Sequence, residues 1–461
     1  MFKSKILILP VLFCIFSLIN ITFPMRWSWH DSQRVGQIYL IIFYTFLFVL
    51  LNISAYSKKN RHIFFCFVFL GAVSCLMSEE KIFAFTEMAI FFGSYIMGIV
   101  LFHLMKLGAE KNLEKYFFLF LFLSAASLAI YFFMGYISSF FSKTNFDVWD
   151  FFNGFSNIRF FGQFMTLLIP VLVAPVLLRK KWSSAFFCIS CIIFFMLIAS
   201  GARAALMSLG SVVFIYLFIG KLSRGWAFLI IKISCIGFIM HYILIDILPK
   251  YFQIGVWNNV ADRKLTGLSS RELIWNQAIE MLIQKPFFGF GPMHFANMNN
   301  TIANHPHQFF LQILSEWGIP FFLFLFFILI KIIIVVFKEL KYFKKIKNNE
   351  KKVIYVCLVA SIFSSLIQSM VDGVFVMPYT EIVFVFLAAW LASIYFDEDF
   401  KDENNKFIFQ NIIIKLIVMF FSLILCFSFF ESSPTYIGKS QDNYYNNSGD
   451  YMPRFWLNGG F

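Results

Sequence analysis

Charge is scarce in this chain. Asp, Glu, Lys and Arg make up 14% of 461 residues, whereas 60% are hydrophobic and 21% aromatic, and mean hydropathy is +0.77. A soluble domain of this length has no interior large enough for that much apolar surface, so the solvent is largely bilayer. Disulfides are excluded next. Cys14, Cys66, Cys75, Cys188, Cys191, Cys235, Cys357 and Cys426 all lie inside apolar runs, none in an outer loop. Cys188 and Cys191 form a C-x-x-C, the spacing of a zinc or redox pair. No second pair or nearby histidine completes that site, and two small residues on one helix face is the simpler reading. Also missing are a P-loop, a G-x-S-x-G and an H-E-x-x-H. The loops hold no Asp cluster suited to a metal, and no internal repeat or soluble second domain is visible. The net charge of +13 would suggest nucleic acid in a soluble protein. Here the positions of the basic residues relative to the apolar runs are the better guide.

What is present is a series of apolar runs. A hydrocarbon core of about 30 Å needs about 20 apolar residues in a helix. Thirteen segments qualify: 5–23, 37–56, 62–78, 82–105, 116–138, 160–178, 182–200, 203–220, 226–248, 309–336, 353–371, 376–396 and 407–430. The first resembles a signal peptide but lacks a small-x-small cleavage site, so it reads as an uncleaved span. Pro320 predicts that 309–336 bends or begins as a separate interfacial helix. With the N-terminus inside, the inner loops hold 22 of the 38 Lys and Arg residues, although the outer segments are longer. This is the positive-inside bias. The expectation is an all-α polytopic membrane protein with 12–13 transmembrane helices and a large, partly helical outer loop at 249–308. Residues 1–150 would form N-terminal helices, 151–396 a core, and 397–461 a last helix and polar tail.

Three segments then share the outer face, and they carry the candidate chemistry. In ASGARAALMSLG, Arg203 opens a helix among small residues. It either snorkels to lipid phosphate or faces a closely approaching ligand. In the long loop, Arg263, Lys264 and Arg271 lie within nine residues. The run RELIWNQAIEMLI has a helical apolar stripe, with Ser269 or Ser270 to cap it and Lys285-Pro286, Gly289 and Gly291 to end it. Arg271 at its N-terminal end sits where backbone amides favour an anion, and a guanidinium can hold a phosphate by two parallel hydrogen bonds. The bland alternative is a surface cation on a packing helix. In NHPHQFFLQILSEWGIP, Gln308, Gln312, Ser315 and Glu316 share one helix face, and Phe309, Phe310 and Ile313 take another. A polar stripe at membrane depth faces protein or a wet cavity, not lipid. His307 stands at its entrance, with His305 two residues before, and an imidazole can take a proton from a hydroxyl. Asp372, beside Gly373, could orient that imidazole or begin a turn. Asp147 and Asp150 read as part of an aromatic interfacial helix.

These stretches resemble the bacterial O-antigen ligase superfamily, which includes O-linked protein oligosaccharyltransferases and some polysaccharide polymerases. Its hallmark is His followed by Asn, Ser or Gln, nine residues, then Gly-x-x-Gly. Here His307-Gln308 is followed at that spacing by Gly318, and Phe321 replaces the second glycine. SGARAALMSLG resembles the family's arginine-bearing helix start, and RELIWNQAIEMLIQKPFFGFGP its second arginine stretch. NGFSNIRFFGQFMTLLIPVL is similar to a weaker stretch of the protein-glycosylating branch.

The resemblance implies metal-independent, cofactor-free glycosyl transfer at the periplasmic face of the inner membrane. The donor would be a glycan on undecaprenyl diphosphate. Arg203 and Arg271 would hold the diphosphate, His307 would act as general base, and His305, Gln308, Glu316, Arg263, Lys264 and Asp372 would support them. Lipid A–core, protein Ser/Thr and a growing glycan are the candidate acceptors, with lipid A–core favoured by the lack of a large outer domain. The polar tail and the NGFSNIRFFGQF stretch favour protein. A second class of reading is a flippase or transporter for an anionic lipid-linked glycan. That class favours midplane charges and pseudo-repeats, and the three mid-span lysines, Lys232, Lys331 and Lys415, are isolated. No reading involves nucleic acid.

Overall fold

A computed structural model describes residues 2–20, 28–51, 53, 58–107, 112–257, 271–298, 302–396, 408–432 and 454–456. Arg263 and Lys264 lie outside the described residues, as do the capping serines 269 and 270. The helices are α1 (Phe2–Asn20), α2 (Trp29–Leu50), α3 (Lys58–Leu76), α4 (Lys81–Leu107), α5 (Asn112–Ser142), α6 (Ile158–Leu172), α7 (Ala174–Leu177), α8 (Ser183–Ala199), α9 (Arg203–Ile219), α10 (Lys221–His241), α11 (Leu248–Tyr251), α12 (Arg271–Gln284), α13 (Phe309–Trp317), α14 (Ile319–Tyr342), α15 (Asn349–Gln368), α16 (Pro378–Tyr395) and α17 (Ile408–Ser432). The described strands are two residues each, β1 (Phe146–Asp147) and β2 (Val256–Trp257), paired in parallel. The protein is an all-α polytopic membrane protein. Eight helices are long and apolar enough to cross a bilayer, and four shorter apolar helices accompany them.

Every expected span coincides with a helix or a broken pair of helices. The differences are local and have causes. α2 begins at Trp29, eight residues before the expected span, because Ser28 Oγ accepts the Asp31 amide at 3.1 Å and caps a polar first turn. His30, Asp31, Gln33 and Arg34 in that extension are all buried in protein. The run 309–336 divides at Gly318, whose φ of 84° leaves the helical region, and Pro320 starts the next helix. Asp147 and Asp150 lie on β1 and a 3-10 turn rather than on an amphipathic helix, and Asp147 caps that turn through the Trp149 amide.

Burial separates centre from periphery. The most apolar stretch of α6 is 89% buried and that of α14 only 11%, so α6 is a central helix and α14 lies against lipid. α15 packs along α6, where Ser361 donates to the Leu167 carbonyl and Thr166 to the Gln368 amide oxygen. At one end of this pair, Lys180 bridges to Glu350 at 2.7 Å and joins two of the basic connections. The opposite end holds the start of α6, the α8–α9 turn, the α15–α16 connection and the start of α13.

Candidate functional site

At that second end polar side chains from several elements form one cluster. α6 starts at Asn157, whose side chain caps the Arg159 amide at 2.9 Å. Gln163, one turn further in, donates to Asp372 Oδ1 at 2.9 Å. From α15, Gln368 donates to the other carboxylate oxygen at 3.1 Å, and the Gly373 amide donates at 2.9 Å. Asp372 is 6% exposed and is fixed by three donors.

His307 faces this carboxylate. Its Nδ1 lies 3.7 Å from Asp372 Oδ1, an ion-pair distance just beyond a hydrogen bond, and it is buried without a hydrogen-bond partner. His307 has a φ of 54°, an uncommon backbone for a side chain of this size. The left-handed turn lets its amide reach His305 Nδ1 at 3.3 Å, with the two rings 4.0 Å apart. His305 is 1% exposed and touches Gly373 so closely that a Cβ there would overlap its ring. Burial, then the positive charges of His307, Arg454, His30 and Arg159, hold His305 well below the ordinary histidine range. Burial raises the Asp372 carboxyl, but His307, the Gly373 amide and Gln163 more than offset this and hold it below the ordinary value. The site therefore pairs a neutral buried imidazole with a second imidazole on a fixed carboxylate.

Arg271 and Arg159 act electrostatically on this group. Arg271 starts α12 and is lowered by burial and by Arg159, against the attraction of Asp372. It thus feels both α6 and the His307–Asp372 pair. Arg203 starts α9 at the point where Ala202 packs on Gly162, one turn along α6 from Arg159, so tightly that a Cβ at Gly162 would meet the Ala202 methyl at 2.5 Å.

The platform under His307 is α13. Gln308 caps it by accepting the Leu311 amide. Gln312, Ser315 and Glu316 are all buried, so the polar stripe faces protein as its spacing predicts. The far end of α13 is closed by the turn after α12. The Phe290 and Gly291 amides donate to the Ser315 and Glu316 carbonyls at 3.1 and 2.9 Å, and Ile319 donates to Pro286 at 2.9 Å. Gly289 and Gly291 have positive φ and leave no room for a Cβ against Glu316 and Ser78. The glycine turn and the histidine helix are therefore one packing unit. Phe321, in place of the second hallmark glycine, is 1% exposed and stacks on Trp317 at 4.3 Å. His294 is structural here, accepting the Glu80 amide at 3.0 Å.

The sequence reading did not single out Arg159, Gln163, Gln368 or Arg454. The signal available for the glutamines was their polarity at membrane depth on α6 and α15. Among the described residues, no three His, Cys, Asp or Glu side chains are grouped to hold a metal ion.

A bundle of apolar helices defines a polytopic membrane protein, and one end of it carries the His307–Asp372 pair. Residues 186–327 match the family model described as O-antigen ligase, a segment that contains Arg203, Arg271 and His307. Over that segment the match supports the O-antigen ligase superfamily, a glycosyltransferase-like enzyme family. No curated protein matches the sequence.

Proposed function

We propose that the protein transfers a glycan from undecaprenyl diphosphate to an acceptor hydroxyl at the periplasmic face of the inner membrane, with lipid A–core as the acceptor. The observation that carries this reading is the His307–Asp372 pair bordered by Arg271 and Arg159. His307 Nδ1 faces the carboxylate, which leaves Nε2 to take the proton of the attacking hydroxyl. The hydroxyl oxygen forms the new bond to the anomeric carbon as the carbon–oxygen bond to the diphosphate breaks. Asp372 stabilises the imidazolium that results. Arg203 and Arg271 hold the diphosphate and offset its charge as it leaves on its lipid. No step needs a metal or a cofactor, and a single displacement inverts the anomeric centre.

The basic connections at the opposite end of α6 and α15 support a cytoplasmic assignment for that end and a periplasmic one for the His307–Asp372 end. The test incubates purified protein with the lipid-linked glycan and, in turn, lipid A–core, a Ser/Thr-containing protein and a free glycan chain. Mass analysis then identifies the product. Glycosylated lipid A–core is the expected outcome. Product on protein or glycan alone would replace ligation with protein glycosylation or polymerisation, and movement of intact donor across the membrane without product would favour a transporter.

A further inference from the structure

A second buried ionic cluster is centred on Glu316 and Arg454. Glu316, in the last turn of α13, is fully buried. Its carboxylate accepts the Phe295 amide at 3.0 Å and Arg454 Nη2 at 2.9 and 2.6 Å. Arg454 also lies 3.6 Å from Glu87 of α4. The Gln312 amide oxygen, turned toward the guanidinium, accepts from Nη2 and Nη1 at 3.2 and 3.0 Å. Gln312 and Glu316 are one turn apart, so a single face of α13 receives Arg454.

The residues around Arg454 are equally fixed. Arg34 of α2 donates to the carbonyls of Arg454, Phe455 and Val376 at 2.9, 3.0 and 2.8 Å, and its guanidinium lies 5.4 Å from the centre of the Phe455 ring. Phe455 and Trp456 are 1% and 2% exposed. An Arg-Phe-Trp segment that follows the last apolar helix thus lies inside the bundle. It supplies the cation that Glu316 requires, because a buried carboxylate without a partner is strongly destabilising.

We infer that Arg454-Phe455-Trp456 is a built-in ligand of the acidic pocket formed by Glu87, Gln312 and Glu316, and that Arg454 is a positioning residue for the site. By holding Glu316 it fixes α13, and α13 sets the place of His307 at its entrance. Phe309 links that entrance to the Asp372 segment, donating its amide to the Ser369 carbonyl at 2.9 Å. The ordering of α13 is independent of the chemistry proposed above, whereas the effect on turnover rests on His307 being the base.

The test uses the full-length protein with R454M, R454K and the double variant R454M/E316Q. Hydrogen exchange is measured across residues 302–317, with α15 as an internal control, beside kcat and KM for the lipid-linked donor. R454M is expected to speed exchange over 302–317 by about tenfold or more while α15 stays protected. It should lower kcat by about tenfold with little change in KM. R454K should be intermediate, since a lysine keeps the charge but not the second nitrogen that reaches Gln312. R454M/E316Q should recover protection and much of kcat, because the fully buried carboxylate of Glu316 is gone, while Glu87 keeps solvent contact with its side chain 18% exposed. Unchanged exchange in R454M, an equal rise everywhere, or a double variant no better than the single one would each overturn the inference. Should R454M fail to fold, recovery of folding by the added E316Q is the readout, and no recovery overturns it. If exchange follows the expected pattern but wild type transfers no glycan, the transferase reading falls and the latch stands.

Discussion

Replacing Asp372 by Asn probes the charge that faces His307. The side chain keeps its shape and one of its oxygens, but its charge is gone. At 3.7 Å, a full charge pair in surroundings of effective dielectric about 20 is worth about 4 kcal/mol. His307 keeps some solvent contact, with its side chain 17% exposed, and the Asn carbonyl dipole retains part of the attraction. We therefore expect the barrier to rise by about 2–4 kcal/mol, a loss in kcat of about thirtyfold to several hundredfold. The substitution also turns one acceptor into an amide donor, while Gln163 and Gln368 both still donate. One of those donors is left unsatisfied, at a cost of about 1–3 kcal/mol in stability. The assay is transfer from lipid-linked glycan at saturating donor, with thermal unfolding of the same preparation. A folded Asp372→Asn variant with kcat within threefold of wild type would refute the role assigned to this carboxylate.

Three further outcomes follow from named contacts. Arg271→Lys should raise KM for the donor by about tenfold or more with a smaller change in kcat, because an ammonium lacks the two-pronged fit to phosphate; steady-state kinetics over donor concentration check this. Gly318→Ala should lower stability by about 3 kcal/mol or more, since φ is 84° and a Cβ would overlap the Phe287 carbonyl, whereas Gly210→Ala on α9, with nothing within 4 Å, should be neutral or stabilising by about 0.5–1 kcal/mol; melting temperatures of the pair decide it. For His305, the folded pKa is below the unfolded value of 6.5, so below that pH the unfolded chain binds a proton that the folded one does not. Its contribution is present above about pH 6.5 and is lost on acidification at up to about 1.4 kcal/mol per pH unit, and His305→Asn should remove that part of the slope when unfolding is followed from pH 7.5 to 5.

Much of the architecture was legible because membrane spans announce themselves by length and apolarity, and each of the thirteen apolar runs is helical. The polar stripe on α13 was legible from its spacing, and the break near Pro320 from the proline. The N-terminal extension of α2 was hidden, because His30, Asp31, Gln33 and Arg34 look like a solvated loop until their partners are seen. Those partners are far away in sequence: the Arg34 guanidinium meets Val376 and Arg454. Gln163 and Gln368 were hidden for a similar reason. Each sits in a largely apolar stretch, and only packing of α6 on α15 brings both to Asp372. Phe321 looked like a departure from the glycine hallmark, yet stacking on Trp317 fills the place that a close helix approach would otherwise take.

The central claim is tested most directly by a single substitution at His307. Purified protein is supplied with lipid-diphosphate-linked glycan and acceptor, and release of the lipid diphosphate is followed for wild type and His307→Ala at matched thermal stability. The account predicts steady release with wild type and a loss of about thousandfold with the variant, since the neighbouring imidazole, His305, is buried against Gly373 and does not pair with the Asp372 carboxylate. Release at a similar rate from a folded His307→Ala protein would contradict it.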